Sequence, residues 1–215
     1  MKTRILFTVI MTFGLFAMTF GQERTSEMQT IFGNRDHKTD HGGYAGLTVG
    51  YTQIDGNDVM TLGGRAGWLI DHHVTIGLAG KAFMNSIFIE GNFAGAPENG
   101  LYLSGGYGGL FIEPIIAPMF PIHVSFPVMI GGGGLVLNDH TWHDYDWEYD
   151  YYEPYDWDSY FVVEPGVEIE LNVVKYFRIA VGGSYRITSN LHVTEVPKNM
   201  MNGFNADVTL KFGKF

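Results

Sequence analysis

The feature that most constrains this chain is alternation. From Tyr44 onward, Ala45, Leu47, Val49 and Tyr51 share one face, while Tyr44, Gly46, Thr48, Gly50 and Thr52 share the other. A period of two is the pattern of a strand with unlike faces. Gly56-Asn57, inside 55–58, is a two-residue hairpin signal, and beyond it Met60, Leu62, Ala66, Trp68 and Ile70 alternate with Thr61, Gly63, Arg65 and Gly67. The same periodicity predicts strands over 74–83, 101–112, 122–130, 161–171, 177–186 and 204–212. Eight strands result, and most reach the roughly 9 to 11 residues that a tilted strand needs to cross a bilayer. The expected fold is all-β: an eight-stranded antiparallel up-and-down transmembrane β-barrel.

Charge identifies the face that points away from lipid. The polar faces carry Arg65, Lys81, Glu164, Glu168, Glu170, Arg178, Arg186, Asp207 and Lys211, a nearly balanced set that suits a salt-bridged lumen. Closure leaves no unpaired strand edge in hydrocarbon, where each unsatisfied backbone group costs several kcal/mol. An eight-stranded interior is just wide enough for its own side chains, so this set predicts a plug and not a solute pore. Threading the strands up and down sets Trp68, Phe111, Phe177 and Phe212 at the lower ends of outward faces, and Tyr51, Phe161, Tyr185 and Phe204 at the upper ends. Those are two aromatic girdles. The same threading assigns the long connections 84–100, 138–159 and 187–203 to the upper, external side and the short ones, 71–73 and 172–176, to the lower, periplasmic side. The first upper turn is unusually short and the lower turn 113–121 unusually long.

Composition narrows the classes. With no cysteine, disulfide frameworks, thiolate metal sites and lipoprotein anchoring are excluded. A net charge of −10 disfavours nucleic acid as a partner. Lys2 and Arg4 precede an apolar stretch over 5–20 and a small residue, Gly21, the pattern of a secretory signal peptide cleaved before Gln22. The expected organisation is a signal peptide at 1–21, a polar periplasmic segment at 22–42 and an outer-membrane barrel at 43–215.

Chemistry has few places to reside. Residues 139–158 hold eight acids, eight Trp or Tyr and no Lys or Arg. Alternating Asp144, Asp146, Glu148 and Asp150 offer oxygen ligands of the kind calcium takes, but without EF-hand spacing, so no metal is assigned. The aromatics Trp142, Tyr145, Trp147, Tyr149, Tyr151 and Trp157 are candidates for recognising a protein or glycan, because exposed aromatics anchor contact surfaces. His123 and Ser125 share a face as a base and a nucleophile would, which defines an alternative, a lipid-modifying outer-membrane hydrolase, although no orienting acid is identifiable. His140 and His143, and His72 and His73, read as loop and turn residues. The runs at 105–109 and 131–134 lack the following helix of a phosphate-binding loop and read as close backbone approach in a narrow barrel. A further alternative, a soluble periplasmic ligand-binding barrel, requires the faces reversed, with Phe161, Val163, Val167 and Ile169 buried. No catalytic residue or cofactor is assigned.

The stretches GGRAGWLIDHHVTIGLAG from Gly63, GGYGGLFIEPI from Gly105, IHVSFPVMIGGGG from Ile122, FVVEPGVEIELNVVKYFRIAVGGSYR from Phe161 and LKFGKF from Leu210 resemble a family of small outer-membrane barrels of Bacteroidetes-type bacteria, related in architecture to OmpA/OmpX-like barrels. The resemblance implies an eight-stranded barrel in outer-membrane lipid and supplies no active site. It also implies insertion by barrel assembly machinery, for which a final aromatic, here Phe215, is the usual signal. Phe215 is out of phase with the outward series 204–212, which calls for a bulge or an off-strand end near Gly213.

Overall fold

The computed structural model describes residues 40–90, 100–138, 156–193 and 196–215. They form β1 (His41–Ile54), β2 (Asn57–Ile70), β3 (Val74–Glu90), β4 (Gly100–Ile116), β5 (Ile122–Ser125), β6 (Val128–Asn138), β7 (Asp156–Val174), β8 (Phe177–Thr188) and β9 (Gly203–Lys214). Neighbouring strands pair antiparallel around the sheet, β5 and β6 both lying against β4 and β7, and β9 pairs with β1, so the sheet closes on itself. β5 and β6 form one stave divided at Phe126-Pro127, both segments lying between β4 and β7. Eight staves therefore make the ring. The division follows from Pro127, which has no N–H to give to a ladder. Hydrogen bonds from Phe126 N to Pro114 O (2.9 Å) and from Gly166 N to Pro127 O (2.8 Å) carry the wall across it.

Turn chemistry fixes the first hairpin. Ile54 pairs with Asn57, so the two turn residues are Asp55 and Gly56, at φ 50° and 78°. Two left-handed residues in a row form the mirror-image turn that matches strand twist. The turn thus lies one residue before the Gly56-Asn57 pair that the sequence suggests. At the other end Asp71 and His72, at φ 49° and 59°, turn the chain from β2 to β3. Asp40 and Lys214 meet at 2.7 Å where the first and last strands adjoin. The Lys214 ammonium holds the Asp40 carboxyl below the usual carboxylate range.

The faces are inverted relative to a water-soluble barrel. Leu47, Leu62, Leu78, Leu110, Ile130 and Val208 point outward, with Leu78 64% exposed, while Glu113, Glu170, Arg186 and Lys211 are fully buried inside. Val167 and Ile169 are 47% and 59% exposed, which overturns the soluble reading that needed them in the core. Tyr51, Phe161, Tyr185 and Phe204 are exposed near the upper end, the end opposite the 71–73 turn, and Tyr185 packs on Phe204. At the lower end Trp68 and Phe212 are exposed, and Phe177 stacks on Phe212 at 4.7 Å. Phe111 does not join them: it is 3% exposed and points into the barrel. Its strand carries large apolar side chains on both faces, and the outward ones are Leu110 and Ile112.

Other expectations also change. β3 and β4 stay paired up to Glu90 and Gly100, and β7 begins at Asp156, so the upper connections are shorter than 84–100 and 138–159. β7 has 19 residues, well over the roughly 9 to 11 needed to span hydrocarbon, and its surplus lies at the upper end. A bulge between Asn172 and Val174 lies beside the lower turn, with Glu170 paired to Ala180 and Asn172 to Arg178. Phe215 follows β9 without a bulge in the β1–β9 register. Its ring turns inward, onto Tyr44 (5.7 Å) and beneath the Arg178 guanidinium (4.0 Å). Glycine makes room inside for such rings: a Cβ at Gly133 would stand 2.6 Å from Tyr160 Cζ and 2.7 Å from Tyr107 Cβ.

Leu78→Arg, at mid-height on the outward face, is expected to destabilise the bilayer-inserted protein by about 2–4 kcal/mol, and Met60→Arg, near the upper end, by about 0–1 kcal/mol. Reversible unfolding from phospholipid vesicles measures both.

Candidate functional site

All nine inward-facing charged residues singled out from the alternation line the interior, and the pleat explains why. Residues two apart on one strand share a face, so β7 delivers Glu164, Glu168 and Glu170 as a column, with Arg178, Arg186, Asp207 and Lys211 on the next two strands. The charges form two layers.

Lys211 is the hub of the lower layer. Its ammonium lies 2.7 Å from Glu113, 2.7 Å from Glu170 and 3.5 Å from Glu168. Arg65 donates to both oxygens of Glu168 (2.8 and 2.7 Å) and approaches Glu113 at 3.4 Å. The Tyr44 hydroxyl donates to Glu113 at 2.6 Å, and Arg178 approaches Glu170 at 3.6 Å, diagonally across the bulged ladder. Three cations thus face three anions. In the upper layer Lys81 bridges Glu164 (2.7 Å) and Asp207 (2.6 Å), while the Ser184 hydroxyl donates to Glu164 (2.6 Å). Between and beside these layers lies a cavity of about 50 Å³, lined by Arg65, Lys81, Glu164, Glu168 and Asp207 among others. That is room for a few waters and no solute.

Glu113 belongs to the lower layer, although the alternation predicts it in the 113–121 turn. β4 continues to Ile116, which places Glu113 in phase with Tyr107 and Phe111. That phase relation is readable in the sequence. Glu113, Glu168 and Glu170 bring carboxylate oxygens within 4.8 Å of one another, a donor set for a hard cation. The Lys211 ammonium already stands among them, so the geometry is that of an ion-pair hub.

His123 and Ser125 are both buried on the inward face of β5. His123 directs Nδ1 to the Phe120 carbonyl (3.2 Å) and Nε2 to Glu170 (3.3 Å), with Arg178 3.5 Å from the same nitrogen. The Ser125 hydroxyl interacts with Glu170. A nucleophile needs its base within hydrogen-bond reach, and here both ring nitrogens are directed elsewhere, so the arrangement lacks the contact that a hydrolase requires. His72 approaches Asp40 at 3.5 Å. Of the loop aromatics, Trp157 is on β7 and 67% exposed. Trp142, Tyr145, Trp147, Tyr149 and Tyr151 lie outside the described residues, as do His140, His143 and the acids Asp144, Asp146, Glu148 and Asp150.

Above the charges the interior turns apolar, a feature with no signal in the alternation. Phe83, Leu103, Leu135, Leu137 and Val162 point inward, and from the β8–β9 connection Leu191, Val193, Met200 and Met201 pack down among them. The barrel is filled by ion pairs below and by hydrocarbon above.

No protein-family model and no curated protein matches the sequence. Solved structures match the fold. Neisserial surface protein A (NspA) is 8% identical with a TM-score of 0.57, over 81% of this chain and 97% of that one. The N-terminal β-barrel domain of Pseudomonas aeruginosa OprF is 7% identical with a TM-score of 0.46, over 79% and 96%. Ail, the attachment invasion locus protein of Yersinia pestis, in complex with the heparin analogue sucrose octasulfate, is 10% identical with a TM-score of 0.43, over 81% and 97%. The first of these carries the comparison. The fold is an eight-stranded ring of the kind found in small outer-membrane β-barrel proteins.

Removing one partner from a buried ion pair leaves an uncompensated charge and costs about 3–5 kcal/mol. Lys211→Met is therefore expected to lower stability by that amount in denaturant titrations of the micelle-bound protein. Thr48→Val, which removes only the neutral hydroxyl pair with Thr209 at 2.9 Å, is expected to cost about 0.5–1.5 kcal/mol.

Proposed function

We propose that the protein is a non-enzymatic outer-membrane barrel of the Bacteroidetes type, exported by its 1–21 signal segment. In this reading the barrel stands in the membrane with its upper end outward and presents its external connections as a contact surface. The single observation that carries the reading is the inversion of polarity: large apolar side chains such as Leu78 and Leu110 stand on the outer face while Glu170, Arg186 and Lys211 are enclosed. A surface of that kind is stable against hydrocarbon and not against water. The quoted stretches from Gly63, Gly105, Ile122, Phe161 and Leu210 support the family assignment, and Lys2, Arg4 and the apolar 5–20 stretch support export.

The sealed interior argues for a wall and not a conduit. Among the described residues, ion pairs fill the lower part and the side chains of Leu191, Val193, Met200 and Met201 the upper part, and the cavity among the charges is water-sized. The protein's variable chemistry then resides in its upper connections. The acidic aromatic segment, with Trp142, Tyr145, Trp147, Tyr149, Tyr151 and Trp157, is the contact surface in this reading, and a protein or glycan is its partner. Aromatic rings supply the anchors and the acids keep the segment solvated. Lipid surrounds the wall, and barrel assembly machinery inserts it.

Three results are expected. The protein fractionates with outer membrane, begins at Gln22 by N-terminal sequencing and migrates differently on gels before and after boiling. Planar bilayers containing it show no conductance steps. A photo-reactive residue at Trp147 in intact cells forms adducts with surface macromolecules. Recovery as a soluble periplasmic monomer contradicts the location, and absence of adducts contradicts the contact role.

A further inference from the structure

Four strands rise above the rest of the ring. β3 and β4 stay paired to Glu90 and Gly100, and β6 and β7 to Leu137 and Asp156, whereas β8 ends at Thr188 and the β1–β2 hairpin turns at Asp55 and Gly56. A strand tilted by about 40° climbs roughly 2.5 Å per residue along the barrel axis. Between Leu171 and Phe161, both outward, β7 therefore covers roughly 25 Å, the whole apolar band of a wall of this kind. Trp157 shares that face, four residues above Phe161, and so stands roughly 10 Å beyond the upper girdle, outside the hydrocarbon.

Other side chains surround it. Val136 lies directly opposite Trp157 and Ser104 opposite Val136, while Tyr102 lies opposite both Phe88 and Asn138. The rings of Phe88 and Tyr102 meet edge-on at 5.2 Å. Their neighbours Leu101, Leu103, Leu135, Leu137 and Tyr160 are buried, so the pleat turns Phe88, Tyr102, Val136 and Trp157 to the outside. Three rings and a valine form a lateral band, with the hydroxyls of Ser104 and Ser159 and the amide of Asn138 between them. Among the described residues at this height, β4, β6 and β7 turn no Asp, Glu, Lys or Arg outward.

The band faces along the membrane and not up from it, so its partner stands beside the wall. Lower on the same strands and the same face, Leu110, Ile130 and Phe161 are exposed to the acyl chains. On the reading that the wall stands in a membrane with its upper end outward, on which this inference rests, the band continues that surface to the level of the lipid head groups. Phosphate heads are held by Arg and Lys, and the band on β4, β6 and β7 has neither. A sugar ring is complementary to it: the apolar C–H face stacks on an aromatic ring, and the hydroxyls pair with neutral hydroxyl and amide groups. We propose that Phe88, Tyr102 and Trp157 bind the saccharide head of a glycolipid in the outer leaflet, whose acyl chains lie against the wall below.

The test uses the full chain in phosphatidylcholine nanodiscs that hold equal minor fractions of dihexosyl diacylglycerol and phosphatidylglycerol with the same acyl chains. Native mass spectrometry of the released barrels shows which lipid stays bound, and heat-modifiable migration verifies the fold of each variant. The sugar-headed lipid is expected to stay on severalfold more barrels than the phosphate-headed one. Trp157→Ala is expected to lower that preference by roughly two- to tenfold, the worth of one aromatic ring contact, and Tyr102→Ala decides the matter if Trp157→Ala does not fold. Trp68→Ala, at the lower girdle, is expected to leave it unchanged. Equal retention of the two lipids by the folded wild type, a preference that survives both Trp157→Ala and Tyr102→Ala, or an equal loss in Trp68→Ala overturns this inference alone. A chain that does not enter the nanodisc overturns the membrane reading with it. Barrels joined in pairs through a photo-reactive residue at 157 assign the band to a second copy and overturn the glycolipid.

Discussion

A chain that meets hydrocarbon has to satisfy every backbone N–H and C=O from within itself, and the rest of this structure depends on that constraint. Closure of β9 onto β1 removes the last open edge, and the strand pairings supply the partners. Once the ring is closed, the pleat alone decides which side chains meet lipid and which are enclosed. Polarity must then be distributed by sequence parity, and it is: even-numbered residues of β1, Thr48 and Thr52 among them, point inward, and odd-numbered ones such as Leu47 and Val49 outward.

Enclosing ions inside so narrow a wall has consequences of its own. Each buried charge loses its water, and mutual pairing offsets that loss only when geometry is good. In the lower layer the condition is met, with three acids around Lys211 and Arg65 bound to both oxygens of Glu168. The upper layer meets it only for Lys81, leaving Arg186 at the boundary with the apolar region. The interior is therefore not uniform but graded, from ion pairs at the end where β1 begins and β9 ends to hydrocarbon at the opposite end.

Much of the architecture was legible because parity is a strict signal. Eight alternating segments, the inward set of nine charges and most of the aromatic positions follow from counting by two. Reading failed where polarity stopped distinguishing the faces. β4 carries Leu101, Leu103, Tyr107 and Phe111 on one side and Leu110 and Ile112 on the other, so its apolar side does not identify its lipid side. Glu113, in phase with Phe111, is the residue that resolves it. The diagonal contact between Glu170 and Arg178 depends on the register that pairs Asn172 with Arg178, which no spacing announces. The inward packing of Leu191, Val193, Met200 and Met201 lies in an aperiodic connection and is set by the space available inside the ring, not by any local pattern.

The absence of native cysteine permits a direct measurement of what touches the wall. Single cysteines at positions 204, 206, 208, 210 and 212 of the vesicle-inserted protein, each carrying a nitroxide, report collisions with oxygen, which concentrates in hydrocarbon, and with a water-soluble nickel chelate. If lipid covers this face, oxygen access exceeds nickel access at every position and the difference peaks near 208. Nickel access equal to or greater than oxygen access along the series would mean that water covers the apolar face, and would contradict the account at its root.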